Sequence, residues 1–402
     1  MHRFTPLSTD EVLQHVQAIP GLVPSEVRLS VREIGDGNMN YVFRVTGQGN
    51  SGTTSIIVKQ ALPYMRSVGA AWPLTADRIR VEYETLKTYH QLCPGSVPRV
   101  LHYDDELSLI VMEDLSSHIV LRDGLISGKR FPSFASQIGV FLARTLFFTS
   151  SYALNATELE FNRIKFANPD MVKITSDFIF TFPFMNHEMN RYNPVLDLTV
   201  QRVWNNARLH DEVTGLKRAF NHDAQALIHG DLHTGSIMVT GQDTKVIDPE
   251  FAFYGPMGFD IGLLFANLLL AFCSYSTRRD ATDSEVYQAY LLRTIELAWL
   301  QFQSEFQRLW NEFGSQNLGP SEDVLIRLLQ DSLGFAGCEM IRRVIGTSHV
   351  ADLERVEDSR QRTNGEAIAL HLGQHLILWR STAQNILDFI ETVRDYKKRN
   401  DS

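Results

Sequence analysis

Cysteine is scarce. The three present, Cys93, Cys273 and Cys338, are odd in number, scattered and in no metal-ligand spacing, which argues against a disulfide scaffold or a zinc site and fits a reducing cytosol. Positive charge is also short. The formal net charge is -9, with 38 Lys and Arg against 47 Asp and Glu, and the basic cluster Lys397, Lys398 and Arg399 reads as a solvated end, so no nucleic-acid partner is expected. The most apolar run, 261–273, is interrupted by Asn267 and falls short of the about 20 residues of a membrane span. The first residues lack a basic region leading into an apolar stretch and a small-residue cleavage site. A cytoplasmic chain, neither secreted nor membrane-bound, is expected. Internal repeats and low-complexity segments are missing too.

What remains is the makeup of a globular protein, 402 residues with 44% hydrophobic and 21% charged, enough for a large core divided between two lobes. Roughly the first hundred residues read as strands around tight turns. Residues 29–34 and 41–45 alternate in polarity and flank Gly35-Asp36-Gly37-Asn38, predicting a hairpin. Turn residues at 47–52 precede a β-branched run at 55–60 that carries a single charge, Lys59. An irregular stretch containing Pro63 and Pro73 then leads to a predicted helix over 76–90, with Ile79, Tyr83, Leu86 and His90 at helical spacing and Glu82 beside them. Residues 100–103 and 107–112 read as two further strands, closed by Glu113-Asp114-Leu115. From about Ser133 the pattern is mainly helical, with 134–149 predicted as a buried central helix and brief β-like runs at 226–228, 237–240 and 245–247.

Four features fall in an order that phosphoryl transfer explains. Gly35 to Asn40 forms a glycine-rich turn whose amides and Asn side chains can bind a triphosphate, although such a turn alone is an ordinary hairpin signal. Lys59, at the end of an apolar strand, needs phosphate or carboxylate partners. Glu82 is expected to hold it, with Glu84 as the alternative and Arg78 available to Glu82 for a surface pair. The loop His229-Gly230-Asp231-Leu232-His233 offers Asp231 to orient an attacking hydroxyl, with His229 holding the loop. Asp248 and Glu250, in Val246-Ile247-Asp248-Pro249-Glu250, supply hard oxygens for magnesium, and such close carboxylates would repel without a cation between them. Each fragment has a bland explanation, yet their order selects an ATP- and magnesium-dependent kinase.

The loop H-G-D resembles that of the aminoglycoside phosphotransferase and choline kinase branch of the protein-kinase-like fold. A closer resemblance, to the methylthioribose kinases, rests on G-D-G-N-M-N-Y-V-F at 35–43, V-K-Q-A at 58–61, W-P-L-T at 72–75, V-M-E-D-L at 111–115, H-G-D-L-H-T-G-S at 229–236, D-P-E-F-A-F-Y-G-P-M-G-F-D-I-G at 248–262, and G-C-E-M-I-R-R at 337–343. The resemblance implies an α+β, bilobal fold: a small antiparallel β-sheet N-lobe (1–112), a hinge (113–115) and a larger, mainly helical C-lobe (116–402). It further implies ATP contacts from Asn38, Asn40, Lys59 and Glu82, adenine on the backbone of Glu113, Asp114 and Leu115, and nucleotide-side roles for Asp248, Pro249 and Glu250. Asp231 would be the catalytic base, Arg342 and Arg343 the substrate-side arginines, and Trp72 part of a loop closing over the site. Ser236 stands where the wider superfamily has a metal-binding asparagine, and Glu250 is expected to replace the weaker ligand. The substrate implied is methylthioribose, in a homodimeric enzyme of methionine salvage, with choline, homoserine or an aminoglycoside as the competing acceptors.

Overall fold

Period-two alternation in the first hundred residues builds a five-stranded antiparallel sheet, with strand order β1-β2-β3-β7-β6. The strands are Arg28–Glu33 (β1), Tyr41–Gly49 (β2), Gly52–Gln60 (β3), Val100–Asp104 (β6) and Leu109–Glu113 (β7). A small hairpin of Tyr64–Met65 (β4) and Gly69–Pro73 (β5) occupies what reads in sequence as irregular chain, and places the half-buried Trp72 on a strand. In this computed structural model residues 5–23, 27–34, 39–49, 52–66, 69–276, 281–314 and 319–400 are described; Asn38 and the glycine turn lie outside them. The chain divides into two compact units, Met1–Ser117 with Lys245–Ala252, and His118–Thr244 with Phe253–Ser402.

In the first unit, Thr9–Ala18 (α1) opens with a capping box in which Ser8 and Glu11 satisfy each other's backbone N–H. Its Val12 and Val16 bury against Phe43, Val45, Ile56 and Val58 on one sheet face. Strand alternation turns Lys59 to the opposite face, where Arg78–Leu92 (α2) supplies its partner. The segment 245–252 joins this unit, unlike the expected division at 112 and 115, because its groups bond there. Val246 N–H donates to Ser96 O at 2.8 Å, and Lys245 Nζ donates to Gly95 O at 2.6 Å.

The second unit begins with Ile119–Val120 (β8), Leu121–Ile126 (α3) and Phe134–Phe148 (α4), the last being the buried helix expected from its apolar faces. Ala156–Lys165 (α5), Pro169–Phe180 (α6), Asp197–Trp204 (α7) and Ala207–His222 (α8) follow. Four short strands come next: Ala226–Ile228 (β9), Ile237–Val239 (β10), Thr244–Val246 (β11), whose last two residues belong to the first unit, and Phe253–Gly255 (β12). Strand β9 pairs antiparallel with β12, and β10 with β8, so the loop 229–236 is pinned at both ends. The rest of the unit is helical: Gly258–Tyr275 (α9), Ala281–Phe313 (α10), Ser321–Ile345 (α11), Ala351–Glu354 (α12), Ser359–Trp379 (α13) and a terminal Ile386–Asn400 (α14).

Helix α9 is long and apolar enough to cross a membrane, but all its residues are buried in the unit, as in the central helix of a packed core. It lies very close to α11. A Cβ added at Gly262 would sit 2.6 Å from Ser332 O and 2.8 Å from Phe335 Cβ. The backbone oxygen cannot swing aside, so Gly262→Ala is expected to cost about 1–3 kcal/mol and lower the Tm by several degrees in calorimetry. An unchanged Tm would contradict this close packing, which fixes α11 against α9.

Candidate active site

The first unit gathers the sequence-marked groups around Lys59. Its side chain is 5% exposed, and Nζ donates to Glu82 Oε1 at 2.9 Å and to Asp248 Oδ1 at 2.8 Å. Glu82, not Glu84, is therefore the helix partner. Burial disfavours the ammonium, but Asp248, Glu82 and Glu250 outweigh it and hold the Lys59 pKa above its ordinary value. Asp248 is half-exposed and adopts φ 60°, ψ 47°, a left-handed conformation unusual for a non-glycine residue and more so before proline. Pro249 then starts the short 3-10 turn that turns Glu250 inward.

Arg78 corrects the surface-pair expectation. Its side chain is fully buried, and its guanidinium makes five hydrogen bonds: Nε to Glu250 Oε2 (3.1 Å), Nη1 to Leu62 O and Thr75 O (2.7 Å each), and Nη2 to Met39 O (3.0 Å) and Asn40 Oδ1 (2.9 Å). Asn40 Nδ2 also donates to Glu250 Oε2 at 2.9 Å. The cations between the two acids are thus supplied by the protein itself, Lys59 beside Asp248 and Arg78 beside Glu250. Two cations face three carboxylates, Glu82, Asp248 and Glu250. The half-exposed Asp248 carboxylate fits a hard divalent cation. Glu250 fits it less fully, since one of its oxygens already serves Arg78 and Asn40.

At the end of the sheet, the Glu113 N–H donates to Arg99 O at 2.9 Å and is engaged within the sheet. Asp114 turns its carboxylate inward, accepting from Arg44 and from Ser55 Oγ, while Leu115 is buried. The side chain of Asp114 is therefore a brace.

In the second unit, the loop after β9 is held by a residue to which the sequence reading gave no role. Asp260, in the first turn of α9, accepts the N–H groups of His229 (2.6 Å) and Gly230 (3.0 Å). Gly230 takes φ 81°, and His229 Nδ1 accepts the Asp231 N–H at 3.2 Å. His233 Nδ1 accepts from Gly235 N–H and Ser236 N–H, both at 3.0 Å, so its proton belongs on Nε2, which lies 3.4 Å from Asp231 Oδ2. Ser236 Oγ donates to Asp231 O at 2.8 Å and accepts from His233 N–H at 2.9 Å. The Ser236 hydroxyl, expected as a weak metal ligand, is buried and shapes the loop.

Arg342 and Arg343, in the last turn of α11, are buried. Their Nε atoms donate to the two oxygens of Glu339 at 2.7 and 2.6 Å, and Arg342 Nη2 lies 3.9 Å from Asp231 Oδ1. Spacings of three and four residues on one helix bring this acid under both arginines, a signal present in the quoted G-C-E-M-I-R-R. Arg122 adds a further, partly buried cation, donating to Asn267 Oδ1 at 2.8 Å and pairing with Asp352. Burial pushes the Asp231 carboxyl up, but His233, Arg343 and Arg342 more than reverse this and hold it well below the usual carboxylate range.

A depressed carboxyl contributes stability that is present above its unfolded value near 4 and lost as pH falls through the folded value. Asp231 therefore stays ionised across pH 5–8. Replacing Arg342 by Gln is expected to move the acid limb of kcat/KM to higher pH, read from a pH–rate profile. A limb that stays in place would show that Arg342 does not set the Asp231 charge.

An antiparallel sheet with a strand lysine held by a helix glutamate, an aspartate-bearing loop after β9 and an acid after β11 define a phosphotransferase. The phosphotransferase enzyme family is matched over residues 30–302. A choline kinase from Cryptosporidium parvum Iowa II shares the fold, with a TM-score of 0.51 at 13% identity, covering 95% of this chain and 99% of that one. Methylthioribose kinases are much nearer in sequence: one from a Geobacillus species is 46% identical over 381 residues, 93% of each chain, and one from Cronobacter sakazakii is 38% identical over 403 residues, 98% of this chain and 100% of the other. The chain belongs to the methylthioribose kinase family of these phosphotransferases.

Proposed function

We propose that the chain transfers the γ-phosphoryl group of ATP to the anomeric hydroxyl of methylthioribose, giving methylthioribose 1-phosphate and ADP in methionine salvage. The observation that carries this reading is Asp231, held ionised on a rigid loop beside the buried pair Arg342 and Arg343 in a chain of that family. Arg343 Nη2 is buried and has no hydrogen-bond partner among the described residues. Such a donor is costly to leave unmet, which supports a substrate oxygen as its acceptor and favours a neutral sugar over a cationic choline or amino sugar.

Asp231 orients the hydroxyl, whose oxygen bonds to the γ-phosphorus as the bond to the β,γ-bridging oxygen breaks and ADP leaves. A carboxylate with so depressed a pKa is a weak base, so its larger contribution is alignment, with the proton passing to it late. Lys59, fixed by Glu82, offers its ammonium to phosphate oxygens. Magnesium, held by Asp248 with Glu250 in support, would neutralise the charge of the nucleotide's phosphates.

A cytosolic homodimer is part of the same proposal. Its support is the family resemblance and three cysteines that are all buried and unpaired, as a reducing compartment allows. An ATP-consumption assay over methylthioribose, ribose, choline, homoserine and an aminoglycoside tests the acceptor. The expected result is a kcat/KM for methylthioribose at least about 100-fold above the others, as a site built for particular polar groups can achieve. Preference for choline or an aminoglycoside would overturn the reading.

A further inference from the structure

The sheet face opposite Lys59 carries a second cluster of chemistry-bearing groups. Alternation along β6 sends Tyr103 toward α2, where it stacks on Tyr83 at 4.4 Å, and sends His102 and Asp104 toward α1. A register shift between Val100 and His102 marks a bulge, a feature that re-aims side chains. From α1, His15 follows Val12 by three residues and lies on the same buried face. One ligand atom from each of His15, His102 and Asp104 can be chosen so that all lie within 4.8 Å of one another.

Two details point to an ion. His15 Nε2 is buried without a hydrogen bond, and Asp104 Oδ2 stands 3.8 Å from it, too far for that bond but a separation that a shared cation can span. The other oxygen, Asp104 Oδ1, accepts the Leu107 N–H at 2.9 Å, which fixes the carboxylate's direction.

We infer that His15, His102 and Asp104 form a binding site for a transition-metal dication of the zinc class, which fastens α1 to the edge strand β6. Two imidazoles and one carboxylate suit zinc better than magnesium or calcium, which want all-oxygen shells. The site shares no residue with the Lys59 and Asp231 groups and does not depend on the proposed reaction.

The test uses the full chain, free of any affinity tag and treated with chelator, titrated with zinc chloride by calorimetry and with cobalt(II) by visible absorption. One zinc per chain with a micromolar or tighter Kd is expected, together with a zinc-induced rise in Tm. His102→Gln, at a partly exposed position, should keep the kinase activity of the parent, which reports folding, and weaken zinc binding by at least about 10-fold. His15→Gln should do the same, and Asp248→Asn should leave zinc binding intact. No binding, affinity unchanged in His102→Gln, or loss of binding in Asp248→Asn would each overturn the assignment.

Discussion

Asp231→Asn is expected to lower kcat by about 10²–10⁴-fold while leaving the affinity for ATP within a few-fold of the parent. Asparagine keeps the volume and one acceptor oxygen but loses the charge that aligns the attacking hydroxyl. Asp231 lies in the second unit, whereas the proposed nucleotide groups Lys59 and Asp248 lie in the first, and that division is why the effect should fall on kcat. Binding can be followed by calorimetry with ADP and turnover by a coupled assay. A kcat within about 10-fold of the parent would remove Asp231 from the chemistry.

Arg78→Met should have the other large effect, this time on stability and nucleotide binding together. Five hydrogen bonds end on this one buried guanidinium, and its loss leaves Glu250 and Asn40 Oδ1 short of their donor and charge partner. Breaking a buried ion pair from one side typically costs about 3–5 kcal/mol, so a clear fall in the denaturation midpoint is expected. Arg78→Lys restores the charge but cannot fork to five acceptors, so it should recover only part of the loss. Because Arg78 ties Asn40 to Glu250, the Lys variant should also show a raised KM for ATP with a smaller change in kcat. Parent-like stability in both variants would mean that this network is not what holds the acid in place.

Much of this was legible in the sequence because it is local. Lys59 in an apolar strand, the 229–236 loop and the acids after Ile247 announce themselves by contrast with their neighbours. Strands β2, β3 and β9 and helix α4 follow from periodicity alone. Helix α1 was not expected, although Ser8 and Glu11 have capping-box spacing and Val12 and Val16 lie one turn apart; ten residues of modest hydrophobicity are easily outweighed by the strand-rich pattern after them. The β4–β5 hairpin was hidden because β4 has two residues and Pro73 reads as a breaker, though it only ends the strand.

Other features depended on contacts between residues far apart in the chain. Arg78 gave the same signal as any charged helix residue, and only the position of Glu250, 172 residues on, makes it a buried hub. Likewise Asp260 is distinguished from a surface acid solely by the two loop amides it accepts. Glu339 was the exception: its spacing from Arg342 and Arg343 could have flagged it as their shared partner.

The most direct test of the reaction is phosphorus NMR of the purified chain incubated with methylthioribose, ATP and magnesium. Equal amounts of ADP and a sugar phosphate ester coupled to the anomeric proton are predicted, with the ester appearing at least about 100-fold more slowly in Asp231→Asn. Release of inorganic phosphate alone, or an ester at another hydroxyl, would contradict the account.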